Sequence, residues 1–374
     1  MERAGAVVIG GGIAGVSAAH HLATRTDVVL LEAHPTLAHH TTGRSAAMYL
    51  ENYGTDAVRH LTLASKPFLE QPPAGTTDAP LLEPRGMLSA GGPDQVAALE
   101  ALAERGRSLV ESIRFVDGAE AVAICPLLRL EWVAAAVWEP DARSMDVGAL
   151  HQAFVRGLRA ANGRIITDAP VRSLVRGDDG WHVEAGEHRV VAGLVVNAAG
   201  AWADEMATMA GLRPVGLRPL RRTAFTVAAP DGLDVAALPL VHAADDSFYV
   251  KPEGPQLLCS PADETPSEPC DAKPEELDVA RAIDAIGAAT TLAIRSVRRS
   301  WAGLRTFAPD REPVLGPDPD DETFVWCAGQ GGTGIQTAPA AGALTAALAL
   351  GVGDGELADG TTVDLTTVLP DRLR

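Results

Sequence analysis

The chain is poor in cysteine. It has four in 374 residues (Cys125, Cys259, Cys270 and Cys327), widely scattered and forming no C-x-x-C pair. That excludes a disulfide framework and a cysteine-based zinc site, and it suits reduced thiols in a cytosolic enzyme. Positive charge is also scarce. With 31 Lys and Arg against 49 Asp and Glu, the formal net charge is -18, which argues against nucleic acid or an anionic membrane surface as a partner. No apolar run reaches the length of a membrane span. The most apolar late stretch, residues 337–352, is rich in Ala and Gly and reads as a buried helix. A basic, cleavable leader is missing before the first apolar run, so the cytoplasm is the expected compartment. The histidines include the adjacent pairs His20-His21 and His39-His40. Sequence neighbours cannot converge on a metal from one helix face, so no metal site is expected. Internal repeats and long linkers are absent too, and the length allows two domains or one large α/β unit with an inserted lobe.

What is present is concentrated near the start. The apolar run Ala6-Val7-Val8-Ile9 leads into Gly10-Gly11-Gly12-Ile13-Ala14-Gly15. An Ala-rich stretch follows with Ile13, Val16, Ala19 and Leu22 at three-residue steps, then Val28-Val29-Leu30-Leu31 and Glu32. This is strand, tight turn, helix, strand, with the G-x-G-x-x-G glycines at 10, 12 and 15. Gly10 allows the sharp turn, Gly12 lets a pyrophosphate approach the backbone, and Gly15 brings helix and strand together. The helix start offers free N–H groups and partial positive charge to phosphates. Glu32 ends the second strand, where a carboxylate accepts from ribose hydroxyls. A Gly-rich turn in some other α/β unit is the plainer alternative, but strand, helix and acid all stand where a dinucleotide site needs them.

Two further stretches have the same character. Thr41-Thr42-Gly43-Arg44-Ser45-Ala46-Ala47-Met48 puts hydroxyls, a Gly and an Arg at an expected helix start, which makes either a second anion cradle or an ordinary N-cap. Gly329-Gln330-Gly331-Gly332-Thr333-Gly334-Ile335-Gln336 follows the strand Phe324-Val325-Trp326-Cys327-Ala328 and opens the last helix. A simple nicotinamide dehydrogenase does not need this third junction.

Between them, residues 49–70 read as helix, 81–90 as a strand entering another lobe, and 96–113 as an amphipathic helix. Residues 146–161 return to helix, and 163–167 form a strand rejoining the first sheet. Short strands at 171–174, 181–184 and 189–191 form a meander. Residues 195–202 then repeat a strand-to-helix turn through Gly200. Alternating strands occupy 217–259, with Arg222 and Tyr249 on faces opposite Phe225 and Phe248. A Pro-rich loop at 261–274, a helix at 275–292 and a strand at 295–307 complete the chain.

Taken together, these segments resemble the D-amino-acid oxidase superfamily of FAD-dependent oxidoreductases, and among its branches the bacterial D-arginine dehydrogenases. The resemblance rests on the stretches at 10–15, 42–47 and 196–202, on Arg221-Arg222 and Ser247-Phe248-Tyr249, and on Trp301-Ala302-Gly303-Leu304-Arg305 and Gln330-Gly331-Gly332. It implies an α/β fold: a Rossmann-type FAD-binding domain with a second substrate lobe built on an antiparallel sheet. The expected divisions are 1–78, 146–214 and 306–374 for FAD, and 79–145 and 215–305 for substrate. FAD would be held non-covalently. Gly10, Gly12, Ile13, Ala14 and Gly15 would face its pyrophosphate, Glu32 its adenosine ribose, and Ala33 and Val171 its adenine. Residues 41–48 (Thr41, Thr42, Gly43, Arg44, Ser45, Ala46, Ala47 and Met48) would hold the rest of it. So would Gly200 and the run Gly331, Gly332, Thr333, Gly334, Ile335 and Gln336.

In the family a Tyr and two Arg bind the substrate carboxylate, and these match Tyr53, Arg222 and Arg305, with Tyr249 beside them. Planar guanidinium groups suit this role because they bind carboxylates bidentately. The D-arginine dehydrogenases carry an acid after a Pro-Arg-Pro. Here the stretch is Glu83-Pro84-Arg85-Gly86-Met87, with no acid at that place. The expected activity is oxidation of a D-amino acid to its 2-oxo acid and ammonia, with oxygen or a quinone as electron acceptor. The alternatives are a secondary-amine oxidase of the sarcosine or glycine type, and a non-catalytic protein on the same scaffold.

Overall fold

The strand Glu2–Ile9 lies between two parallel neighbours, Val28–Leu31 and His188–Asn197. Its residues Ala6, Val7 and Val8 are wholly buried, because a parallel strand covered on both faces has no solvent side to alternate toward. In this computed structural model, which describes residues 2–374, the first sheet runs Val171–Gly177, Gly180–Ala185, His188–Asn197, Glu2–Ile9, Val28–Leu31, Arg164–Ile166. Phe324–Ala328 joins it on the last residues of His188–Asn197. Helices Ile13–Ala23, Val147–Ala160 and Gly334–Ala349 pack on one face around Val16, Leu22, Phe154 and Leu344. The other face is filled by Trp181, Phe324 and Trp326.

A second, nine-stranded sheet takes Arg218–Ala228, Gln256–Ser260, Tyr249–Glu253, Leu240–Ala243 and Met87–Gly91 in that order through its middle. Arg299–Phe307 pairs antiparallel with Arg218–Ala228. One face of this sheet buries Phe225, Phe248, Leu257 and Ile286. The alternation of Arg218–Ala228 therefore sends Arg222 and Ala224 to the other face, toward the first sheet. Among the described residues, no helix is long and apolar enough to cross a membrane.

Several expected elements change extent. The helix read at 49–70 starts only at Asp56, capped by Thr55, whose hydroxyl accepts from the Val58 N–H. Met48–Tyr49 is instead a short strand against Arg143–Met145. Residues 41–48 open no helix. A single 3-10 turn, Thr41–Arg44, ends where Ser45 turns extended. The strand read at 81–90 breaks at Gly86, whose φ is +70°, so that Leu82–Pro84 and Met87–Gly91 join different sheets. A side chain at Gly86 would strike the Trp138 ring. The strands read at 189–191 and from 195 are one, His188–Asn197. Gly193 is no turn; it lets the Gly5 carbonyl approach. The helices read at 96–113 and 275–292 stop at Arg107 and Ala289. Val314–Pro317 is a strand with no counterpart in the sequence reading.

Candidate active site

A cleft of about 550 Å³ opens between the two sheets. Its floor is built from two helix starts. Gly12 caps Ile13–Ala23 with no side-chain acceptor, and Thr333 leaves Gly334–Ala349 equally uncapped. Such first turns leave N–H groups for an anion, apart from the Ile13 N–H, which Thr42 takes. Gly10, at φ +108°, makes the turn that brings the loop there, and a Cβ on Gly15 would lie 1.9 Å from the Gly10 carbonyl oxygen. The Thr42 hydroxyl accepts from the Ile13 N–H at 3.0 Å, tying the second cradle to the first. The Glu32 carboxylate is held at both oxygens, by the Gly11 N–H at 2.7 Å and the His34 N–H at 2.9 Å. It keeps lone pairs for ribose hydroxyls. Buried His151, whose ring nitrogen lies 2.9 Å from the Gly11 carbonyl oxygen, supports this loop from below; no sequence signal pointed to it.

Most of the expected cofactor residues line this one cleft: Gly10, Gly12, Ile13, Ala14, Glu32, Ala33, Thr41, Thr42, Arg44, Ser45, Ala46, Val171, Gly200, Gly331, Gly332, Gly334 and Ile335. Others do not. Gly15 and Gly43 give way to backbone, the Gly10 and Ala38 carbonyls respectively. Ala47 and Met48 turn toward Met145 and Ser144. Thr333 bonds back to the Gln330 carbonyl. The buried Gln336 amide bridges both backbone groups of Leu50 and the Thr62 hydroxyl, tying the last helix to the segment before the Asp56–Glu70 helix. Arg44 does reach the cleft, but its guanidinium is committed to Asp271 and to the Ala272 and Ala302 carbonyls. It fastens the loop at 261–274 across the cradle.

His34, His39 and His40 also come together, with one nitrogen from each within 4.8 Å of the others. A loop carries them rather than a helix, so the helix-face objection does not apply. The His34 and His39 rings are stacked at 4.0 Å and 9°, and the Nε2 atoms of His34 and His40 lie 2.9 Å apart, within hydrogen-bond distance of each other. Burial, with His34 and His39 alongside, lowers the His40 pKa to about 4.

At the other end of the cleft stand Arg222, Tyr249 and Arg305. Leu220 pairs with Arg305 and Arg222 with Gly303, so the two arginines are diagonal neighbours on one face of adjacent strands. Burial, and next the Arg305 guanidinium, hold Arg222 below its usual pKa, while Tyr249, Tyr53 and Glu264 act the other way. Tyr53 is thus within the field of Arg222, but it is 45% exposed and sits at the mouth instead of the lining.

Two neighbours of Arg222 were not anticipated. Its Nε donates to the Asp263 carbonyl at 2.7 Å, and an Nη donates to Glu264 at 3.2 Å. Glu264 also takes Arg311. Asp245 and Asp246, nearby acids of the hairpin tip, do not bond Arg222. Both new partners lie in a loop without periodicity, where sequence offers no orienting signal. The Arg305 guanidinium lies along Gly332, where a Cβ would come within 2.9 Å of it.

Two uncapped helix starts, a doubly held acid and a glycine loop under a guanidinium pair form one continuous cleft for a long dinucleotide. The family profile described as FAD dependent oxidoreductase matches residues 6–348. The chain belongs to that family. FAD is its cofactor, bound non-covalently, and the glycine cradles fit it because side chains there would fill the space. Human mitochondrial dimethylglycine dehydrogenase is 29% identical over 273 residues, 70% of this chain and 30% of that protein. The chain thus spans about a third of the length of the curated relatives it first matches. Glycine oxidase from Geobacillus kaustophilus superposes with a TM-score of 0.82 at 21% identity, covering 97% of this chain and 99% of that one. L-Proline dehydrogenase from P. horikoshii gives 0.83 at 22%, covering 99% and 98%. These likenesses establish the fold. They support the family but not the D-arginine dehydrogenase branch expected from the sequence.

Acid precipitation of the FAD-loaded protein is expected to release its yellow colour into the supernatant. Colour remaining in the pellet would show a covalent flavin.

Proposed function

We propose that this oxidoreductase removes a hydride from the α-carbon of a small amino acid or N-alkylated glycine whose carboxylate is clamped by Arg222 and Arg305. The observation that carries this reading is the diagonal guanidinium pair on one sheet face, in the same cleft as the phosphate cradles. Bound FAD supplies the hydride acceptor. The chain's own residues then need only hold the carboxylate, orient the α-hydrogen and keep water from crowding the site. Tyr249 would flank the carboxylate from within, and Tyr53 would close over it at the mouth. We assign FAD binding to residues 1–78, 146–214 and 306–374, and substrate binding to 79–145 and 215–305. The names of the relatives, dimethylglycine dehydrogenase and glycine oxidase, favour a glycine-type amine over a D-amino acid with a large side chain.

A second reading, an apolar D-amino acid, draws on the wall next to Tyr249. Leu50, Met87, Ala224 and Leu240 cluster with it and leave no free charge for a cationic side chain. Glu51 is occupied by Lys66 at 2.7 Å, and Glu83 is exposed on the small third sheet. Glu139, the cross-strand neighbour of Met87, is buried, and burial with Glu51 nearby pushes its carboxyl up to about 7.

Anaerobic bleaching of the holoenzyme should distinguish these readings, using glycine, sarcosine, dimethylglycine and a panel of D- and L-amino acids, followed by admission of air. Small or N-methylated amino acids are expected to bleach fastest, and D-Arg to be poor, because burying an unpaired guanidinium is costly. A kcat/KM for D-Arg tenfold above every other substrate would overturn this and make Glu139 the residue to replace. Reoxidation in air would identify oxygen as acceptor. A flavin that stays bleached until a quinone is added would identify a dehydrogenase.

A further inference from the structure

His242 is the sole histidine on the second sheet among the described residues; the other nine lie elsewhere. It stands opposite Tyr249 in the antiparallel register and beside Ser89 in the parallel one. Directly opposed residues share a sheet face, and Tyr249 lines the cleft. His242 therefore stands on the cleft-facing side of the sheet beside Tyr249, 24% exposed and outside the lining itself. Its Nε2 lies 2.9 Å from a carboxylate oxygen of Asp246. Asp246 is fixed at the tip of the hairpin: its N–H bonds the Ala243 carbonyl at 2.9 Å, and its φ is +57°. Its carboxyl is held below the usual range first by His242, with Arg222 and Arg305 contributing, so the pair shares its field with the clamp.

The groups around His242 come from every neighbouring element. Asp245 and Asp246 belong to its own hairpin. Tyr249 and Lys251 stand on the next strand, Lys251 being paired with Glu253 at 2.9 Å. Ser89 stands on the far side, Arg222 and Arg305 lie on the same sheet beyond Tyr249, and Tyr53 and Glu264 lie in the field of Arg222. Glu139 stands on the same face two strands away, opposite Met87, and burial pushes its carboxyl up to about 7. The imidazole, on a strand nearer the clamp, is the group suited to accept a proton.

We propose that His242 is the proton acceptor for the substrate's ammonium group, with Asp246 orienting it. This rests on the amino-acid reading above. Asp246 fixes the tautomer with the proton on Nε2, leaving the Nδ1 lone pair free. The ammonium N–H bond breaks, its electron pair stays on nitrogen, and the proton forms the new Nδ1–H bond. The resulting imidazolium is paired with Asp246, whose side chain is 78% exposed and can pass the proton to water. Only the neutral amine can then release the α-hydride.

The test is the pH profile of kcat/KM, and of anaerobic flavin reduction, for wild-type holoenzyme, His242→Gln and Asp246→Asn on the best substrate of the panel. Wild type is expected to lose rate on the acid side as the imidazole becomes protonated. His242→Gln should lose about 10²-fold at pH 7 and recover steadily as pH rises toward ionisation of the substrate amine. Asp246→Asn should move the acid limb to lower pH, because the imidazolium loses its anionic partner. Binding of propionate, read from the flavin spectrum, should be unchanged in His242→Gln. A His242→Gln enzyme with the wild-type acid limb would overturn the proposal, as would one that loses propionate binding in step with activity. If no amino acid bleaches the flavin of any form, the functional reading itself has failed instead.

Discussion

Replacing Arg222 or Arg305 by Met is expected to lower kcat/KM by about two to four powers of ten while leaving FAD content intact. A broken buried ion pair costs about 3–5 kcal/mol. That range applies here because the Arg222 side chain is only 14% exposed. In Arg222→Met, Glu264 keeps its bonds to Arg311, so the charge left stranded is the substrate's carboxylate. Both variants should retain their flavin, because the phosphate cradles belong to the helix starts and not to these strands. Amines lacking a carboxylate should be poor substrates for wild type and lose little more in the variants. A variant turning over its best amino acid at the wild-type rate would remove that Arg from the clamp, and with it the main support for an amino-acid substrate.

The second large effect is expected at Gly15. A Cβ there would meet the Gly10 carbonyl oxygen at 1.9 Å and its carbon at 3.0 Å. Gly10 cannot retreat: its N–H is bonded to the Leu31 carbonyl at 2.8 Å. Gly15→Val must therefore push the first helix off the sheet, which moves the uncapped turn away from the phosphates. We expect apoprotein, destabilised by about 1–3 kcal/mol or more through overpacking. Gly254→Ala, outside the cleft, is the control. Gly254 has a positive φ, +56°, and its Cβ would meet nothing within 4 Å. It should cost about 1–2 kcal/mol of backbone strain and retain FAD. The 450 nm to 280 nm absorbance ratio and a thermal melt measure both. Stoichiometric flavin in Gly15→Val would refute the packing role.

The glycine turn at 10–15 with its strand, helix and acid was fully legible, because every requirement there is local: φ at Gly10, approach at Gly12, and an apolar run too short to be anything but a buried strand. The third cradle at 329–336 was legible for the same reason. Reading residues 41–48 as a helix start failed because hydroxyls and a Gly favour a 3-10 turn as much as a cap, and only packing against the strand Arg299–Phe307 decides. There the Thr41 hydroxyl donates to the Leu304 carbonyl at 2.8 Å, and the Trp301 indole donates to the Arg44 carbonyl at 3.0 Å. Likewise Gln336 read as a cofactor residue by its place in a motif, yet it lies in the first turn of the helix on the side where its amide meets Leu50 and Thr62.

By itself the sequence determined the dinucleotide unit, the alternation that sends Arg222 and Phe225 to opposite faces, and the lack of an acid at Met87. Tertiary structure alone decided that Arg222 and Arg305, some eighty residues apart, become diagonal neighbours; that Glu264 holds Arg222; and that His242 and Asp246 share the clamp's field. The difference is physical. Backbone dihedrals and periodic burial are imposed within a few residues, whereas the register between distant strands is fixed only when both sheets have buried their faces.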